Sequence, residues 1–309
     1  MRTIATLTLN PTIDVAYEVS RVFPMHKMRA SHEYHNPGGG GINVARVFVR
    51  LGGHARCWYM SGGAAGIALD GLLDLHQLVR TRLPIAGDTR ISAAVLEKET
   101  GQEYRFVPPG PTVTEAEWQA ALDRLAQVEC DYLVASGSLP PGVPEDFYAR
   151  LSQLIVPRGI KLVLDSSGAA LREGLAGGGV FLVKPSQGEL QQFVGRELKT
   201  PDAIAAAAAD IVAKGQAEHV AVTMGHEGAV LATREGTLFL PALKIEAKSA
   251  VGAGDSFVAG MVHALSSGRT AVEAFRYGMA AGSAAVLRPG TDLARPDDID
   301  RLHALIPAS

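Results

Sequence analysis

Short apolar runs alternate with stretches of helical periodicity along most of this chain. The runs IATLTL (4–9), ARCWYMS (55–61), DYLVAS (131–136), KLVLDSS (161–167), VFLVK (180–184), HVAVTM (219–224), AVLAT (229–233) and TLFLP (237–241) read as strands. Apolar residues at helical spacing predict helices over 41–52, 66–80, 114–127, 145–157, 201–214, 254–267, 270–287 and 296–306. Several strand runs are apolar at consecutive positions, as strands covered on both faces must be. Strands alternating with helices predict an α/β fold with a mostly parallel central sheet flanked by helices.

Two segments break this rhythm. Residues 13–36 and 88–107 alternate apolar and polar positions, the period of a half-exposed strand, and EKETGQE (97–103) reads as a hairpin turn. They predict a small sheet apart from the core. The alanine-rich stretch 203–215 has strong helix propensity and is read as helix. With no linker or internal repeat, residues 1–309 are expected to form a single domain carrying a small β sheet.

Composition then narrows the function. A net charge of −3 with no basic stretch points away from nucleic acid. No apolar run approaches the ~18 residues of a membrane span, so no membrane partner is expected. Cys57 and Cys130 lie in or beside apolar runs, which suits free thiols in a reducing compartment. The N-terminus enters a strand without a signal-peptide pattern, and a cytoplasmic location is expected. The nine histidines show no zinc-ligand spacing. Neither a P-loop nor a dinucleotide fingerprint after the first strand is present, so a bound nucleotide needs a different cradle.

Two glycine clusters supply the candidate chemistry. Gly252-Ala253-Gly254-Asp255 follows a strand-like stretch and opens the helical run SFVAGMVHAL. Backbone N–H groups of small residues at a helix N-terminus favour an anion, and a carboxylate beside them suits deprotonation of a hydroxyl attacking a phosphoryl group. The earlier cluster, NPGGGGINVARVFVRLGG, places Gly38 to Gly41 in a loop that permits close backbone approach. Asn43 lies in the first turn of the helix that follows.

Together GGGGINVAR and VGAGDSFVAG resemble the two signatures of the PfkB/ribokinase family of sugar kinases, and TLTLNPTID at the chain start resembles its sugar-phosphate branch. Within that branch the chain looks like the type 2 phosphofructokinases, which have glycine at Gly40 where other sugar-phosphate kinases have lysine. The resemblance spans essentially the whole chain. It implies a ribokinase-like fold with a β lid formed by about 13–36 and 88–107, a homodimer through that lid, and ATP and Mg2+ as cosubstrate and cofactor. The implied reaction is phosphorylation of fructose 6-phosphate; fructose 1-phosphate and tagatose 6-phosphate are the alternatives.

The resemblance also assigns roles. Asp255 is the implied base, with Gly252, Ala253 and Gly254 as the anion hole. Asp14, Asn43 and the backbone of Gly39 are implied to hold sugar hydroxyls, and Ser138 to contact substrate. Arg90, Lys27 and Arg29 are candidates for the sugar's own phosphate, which a bidentate guanidinium suits better than an ammonium. Lys184, Ser186, Thr223, Gly225, Gly228, Met279 and Ser283 are implied at the nucleotide, and Asp165 and Glu189 near Mg2+. Ser186 stands where the family pattern Asn-x-x-Glu has asparagine, giving a shorter group without the amide. Ser249, Val251, Arg288, Gly290 and Asp292 match a position for a monovalent cation, K+, held mainly by backbone carbonyls.

Overall fold

The computed structural model describes residues 2–288 and 292–307. The chain begins in the middle of its main sheet with β1 (Ile4–Thr8), leaves the core for β2 (Thr12–Val19) and β3 (His32–Gly38), and turns into α1 (Gly40–Arg50). It returns as β4 (Ala55–Ser61), α2 (Gly63–Leu75) and β5 (Val79–Pro84), then leaves again as β6 (Arg90–Glu97) and β7 (Glu103–Phe106). The middle of the chain runs α3 (Glu115–Leu125), β8 (Tyr132–Ser136), α4 (Phe147–Ile155), β9 (Lys161–Asp165), α5 (Gly168–Ala176), β10 (Val180–Val183), α6 (Gln187–Val194) and α7 (Pro201–Ala213). It closes with β11 (Ala217–Thr223), β12 (Gly228–Thr233), β13 (Gly236–Pro241), α8 (Ala253–Ser266), α9 (Ala271–Val286) and α10 (Pro296–His303).

The main sheet has nine strands in the order β13-β12-β11-β10-β9-β8-β1-β4-β5. Pairing is parallel from β5 to β11 and antiparallel at β12 and β13. Successive side chains of β9 show why the strands are apolar throughout. Leu162 and Leu164 enter the cluster beneath α3, α4, α5 and α7, while Val163 enters the one beneath α1, α8, α9 and α10. Both faces are covered, so both sets of alternate positions must be apolar.

The predicted small sheet forms, in the order β3-β2-β6-β7. β2 pairs in parallel with β6, because both strands leave the core in the same direction, from the ends of parallel strands β1 and β5. The outer pairs are antiparallel. Tyr34, Ile91, Leu96, Tyr104 and Phe106 leave apolar surface exposed on this sheet.

Three sequence expectations need correction. The helix predicted over 66–80 ends at Leu75, and Val79–Pro84 is an edge strand. An edge strand buries few positions, and Arg80 and Arg82 pair with Asp74 and Asp70 beside it, so its apolar signal is thin. The short helix α5 adds to the predicted set, because GAALREGLA carries only two glycine-bounded turns of apolar spacing. The last predicted helix, 296–306, ends at His303.

Among parallel strands, β1 lies between β4 and β8, and the chain proceeds outward from it in both directions. A sheet opens a crevice at such a switch point, outside the carboxyl ends of its strands. Those ends carry Thr8, Ser136, Asp165, Val183 and Thr223 here, and the small sheet starts from the same edge.

Candidate active site

The first turn of α8 is set by one glycine. Gly252 is the helix N-cap with φ 72°, and a Cβ there would meet Leu293 Cδ2 at 2.3 Å. Glycine alone takes this left-handed turn without strain. Ala253, Gly254 and Asp255 then occupy the first three helical positions; Ala253 N donates to Ala250 O at 3.4 Å, and among the described residues no side chain caps this terminus. Asp255 is not a helix cap: its Oδ2 accepts a 2.8 Å hydrogen bond from Asn43 Nδ2, possible because α1 packs against α8.

A second carboxylate and a lysine lie beneath it. Lys184 directly follows β10, is 5% exposed, and pairs with Asp165 Oδ1 at 3.1 Å. A Cβ on Gly254 would lie 3.4 Å from Lys184 Nζ, so the ammonium sits directly under the helix start. Burial pulls the Lys184 pKa down, but Asp165, Glu189 and Asp255 together hold it above the ordinary lysine value. Burial pushes the Asp255 carboxyl up to about 7, with Asp165 adding to the rise; Asn43 and Lys184 oppose it, and Asp14 contributes a further small increase. Asp255 therefore changes protonation in the neutral range, where a carboxyl serves as a proton acceptor.

Asp14 is the third residue of β2, opposite Asn36 of β3. Its carboxylate lies over Gly38, where a Cβ would fall 2.1 Å from Oδ2. Burial raises the Asp14 pKa to about 6 against the opposing charges of Arg105, Arg46 and Arg90. Asp14, Ala16, Ser92, Arg105 and Val251 line one cleft under the small sheet. Arg90 spends two donors on the fold, Nη1 on Pro108 O at 3.0 Å and Nη2 on Asn10 O at 2.8 Å, and its buried Nε has no partner among the described residues. Asn10 Nδ2 donates to Ser138 Oγ at 3.2 Å and to Pro109 O at 2.9 Å. Gly39, the N-cap of α1, accepts from Asn43 N at 2.9 Å.

The nucleotide candidates gather in part. Ser186 and Thr223 form a parallel bridge at the ends of neighbouring strands, and Lys184 is adjacent. Ser186 and Glu189 form a reciprocal capping box at the start of α6: Ser186 N donates to Glu189 Oε2 at 2.7 Å and Glu189 N to Ser186 Oγ at 3.3 Å. Glu189 is thus paired with Ser186. Gly225 and Gly228 shape the turn from β11 to β12. Met279 is only 7% exposed and belongs to the core under α8 and α9, while Ser283 is half-buried beside it.

Other candidates lie apart. Lys27 and Arg29 lie exposed in the connection between β2 and β3. Ser249 Oγ accepts from Val251 N at 3.2 Å, Arg288 pairs closely with Asp298, and Asp292 pairs with Arg50 and Arg295. Gly290 lies outside the described residues. Sequence reasoning missed Asn10, Arg46 and Arg105. Asn10 sits in the NPTID motif and Arg46 in GGGGINVAR, so both were adjacent to the signal; Arg105 is one polar position in an alternating strand.

An anion-receiving helix terminus beside a carboxyl that titrates near neutrality is the equipment of a phosphotransferase acting on a hydroxyl. The chain belongs to the pfkB family of carbohydrate kinases, whose family model matches residues 7–298. It is 42% identical over 304 residues to ATP-dependent 6-phosphofructokinase isozyme 2 of Mycobacterium tuberculosis, covering 98% of this chain and 89% of that protein. A crystal structure of phosphofructokinase-2 from Escherichia coli in complex with potassium superposes with TM-score 0.95 at 39% identity, covering 99% of both chains. The same protein in complex with fructose-6-phosphate superposes with TM-score 0.92 at 38% identity, again covering 99% of both chains.

Proposed function

We propose that this chain transfers the γ-phosphoryl group of ATP to the 1-hydroxyl of fructose 6-phosphate, giving fructose 1,6-bisphosphate and ADP. The observation that carries the chemistry is Asp255, held at the α8 N-terminus by Asn43 with its carboxyl raised to about 7. The likeness to two 6-phosphofructokinases over nearly the full chain supports the substrate.

In this reading Asp255 takes the proton of the 1-hydroxyl as its oxygen bonds to the γ-phosphorus and the bond to the ADP oxygen breaks. The Gly252, Ala253 and Gly254 amides and Lys184 face the transferring charge. Asp14, Asn43 and the Gly39 backbone bind sugar hydroxyls, Ser138 contacts the sugar, and the unpaired Nε of Arg90 faces the 6-phosphate, with Lys27 and Arg29 on the lid side. Ser186, Thr223, Gly225 and Gly228 flank the nucleotide, with Met279 and Ser283 behind its base. Closure of the lid excludes water that would otherwise accept the phosphoryl group.

Asp165 and Glu189 flank Lys184, and both carboxylates already have internal partners. No cluster of three acidic, histidine or cysteine side chains able to hold a metal exists among the described residues. This donor set fits Mg2+ held through water and the phosphates of ATP, since the ion keeps several waters and needs few protein ligands. Bound there, Mg2+ neutralises phosphate charge. K+ is assigned to the backbone around Ser249, Val251, Arg288 and Asp292, supported by the potassium complex of the Escherichia coli protein.

We place the protein in the cytoplasm as one kinase domain, paired through the exposed apolar lid face as a homodimer. No described helix is long and apolar enough to cross a membrane. The test is ADP release with ATP and Mg2+, offered fructose 6-phosphate, fructose 1-phosphate, tagatose 6-phosphate and ribose separately. Fructose 6-phosphate leading about tenfold in kcat/KM supports the assignment. A lead by another sugar overturns the substrate.

A further inference from the structure

We propose that Arg46 is a positioning residue for the reaction: it fixes the Asn43 carboxamide that serves Asp255 and ties it to the lid strand opposite Asp14. The inference rests on Asp255 acting as the base.

Asn43 and Arg46 lie three residues apart on one face of α1. A carboxamide has two ends of nearly equal size, and only its hydrogen bonds decide which end points where. Here both neighbours decide. Asp255 Oδ2, when ionised, only accepts, and the Arg46 guanidinium only donates. Arg46 Nη1 donates to Asn43 Oδ1 at 3.2 Å, which leaves Asn43 Nδ2 to donate to Asp255 at 2.8 Å. A flipped amide would set oxygen against carboxylate and N–H against guanidinium.

The same guanidinium reaches the lid. Nη1 also donates to Pro37 O at 3.1 Å and Nη2 to Asn36 Oδ1 at 3.3 Å. Asn36 and Pro37 pair across the strands with Asp14 and Ile13. One side chain therefore spans the strand pair that carries Asp14 and the amide that orients Asp255. Displacement of β3 would be felt at Asp255 through Arg46 and Asn43.

Arg46 is only 3% exposed, and among the described residues it makes no hydrogen bond to a carboxylate and its buried Nε has no partner. A buried cation without a contacting carboxylate is costly to keep for packing alone. Its charge is balanced at a distance by Asp292, Asp14 and Asp255, while Arg50 opposes it. The groups acting on Asp255 are Asp165 at the end of β9, Lys184 after β10, Asp14 on β2 and Asn43 on α1, and the Asp255 charge in turn acts on Arg46. Removing Arg46 takes away a cation that interacts with Asp255 and frees the Asn43 carboxamide to turn from it, so the Asp255 carboxyl binds its proton more tightly.

The experiment compares the wild-type enzyme with Arg46→Met, Arg46→Lys, Asn43→Ala and the double variant Asn43→Ala/Arg46→Met. Arg46→Met is expected to lower kcat by roughly 100-fold and move the acid limb of the kcat–pH profile to higher pH. Arg46→Lys keeps the charge but not the fork, so kcat falls about tenfold with the acid limb near its wild-type place. In the Asn43→Ala background, Arg46→Met is expected to cost less than about threefold more, because residues acting through one another are not additive. An equal loss in both backgrounds, or an unmoved acid limb in Arg46→Met, overturns the inference. If Arg46→Met does not fold, Arg46→Lys decides, and wild-type kcat there overturns it. A 13C-carboxyl NMR titration of Asp255 in the free protein reads the same coupling without turnover. A wild-type enzyme inactive on every sugar phosphate would refute the proposed reaction, whereas an Asp255 titration unmoved by Arg46→Met would refute this inference.

Discussion

Asn43 Nδ2 and Asp255 Oδ2 meet at 2.8 Å although 212 residues separate them in the chain. Each belongs to the first turn of a helix that follows a glycine-rich turn, and α1 packs against α8 to bring them together. The hydrogen bond favours the ionised carboxyl, while burial and Asp165 favour the protonated one. The balance leaves Asp255 titrating about 7, in the range where a proton acceptor is both available and basic.

Replacing Asp255 with Asn removes the acceptor and keeps the shape. The kcat is expected to fall by about 10²–10⁴-fold, the usual scale for a positioned base, with the KM for ATP nearly unchanged. Steady-state ADP release checks this. In the wild-type enzyme kcat/KM, which reports the free enzyme, should rise with pH through about 7 as Asp255 loses its proton.

The same carboxyl sets a stability trend. Its folded pKa of about 7 lies above the unfolded value of 3.8, so the native state binds the proton more tightly. The stabilisation is present below the unfolded value and fades as pH rises from 3.8 towards 7. Asp255→Asn should therefore gain more in Tm relative to wild type at pH 8 than at pH 5. Thermal melts at the two pH values decide it, and an equal gain at both would refute the assignment.

Lys184 and Asp165 form a buried ion pair at 3.1 Å. Lys184→Met strands the carboxylate, and breaking such a pair costs about 3–5 kcal/mol. Denaturant unfolding should show that loss, partly recovered in Lys184→Met combined with Asp165→Asn. In the single variant the acid limb of kcat should move to higher pH, because Asp255 loses the opposing charge of Lys184.

Gly38 allows the Asp14 carboxylate to lie against the backbone. A Cβ there would fall 2.1 Å from Asp14 Oδ2 and 2.8 Å from Thr12 Cγ2. Gly38→Ala should displace Asp14 and raise the KM for the sugar phosphate by about tenfold or more, with the KM for ATP little changed. Initial rates with each substrate varied in turn test the split.

Ser186 occupies the N-cap of α6. Ser186→Ala should cost about 1 kcal/mol of stability, whereas Ser186→Asn keeps a good capping group. The asparagine also restores the amide of the family pattern, so the KM for ATP-Mg2+ should fall in Ser186→Asn and not in Ser186→Ala. Unfolding curves and ATP titrations separate the two effects.

Most of the architecture, and the glycine turn that opens the candidate site, were legible in the sequence because their causes are local. A strand covered on both faces must be apolar residue after residue, and KLVLD and YLVAS carry that mark themselves. A left-handed N-cap demands glycine, which is why Gly252 stands in a cluster that points to Asp255, whereas Asp14 came from the family resemblance. The edge strand β5 was hidden because pairing on one side, with Arg80 and Arg82 beside acidic partners, leaves little hydrophobic pattern. Only the tertiary structure decided which strand and helix ends converge. That convergence pairs Lys184 with Asp165 and packs Met279 into the core. It also gives Arg46 its place between the lid and Asn43. Such contacts depend on distances between segments far apart in the chain, and residue type and spacing carry no record of those distances.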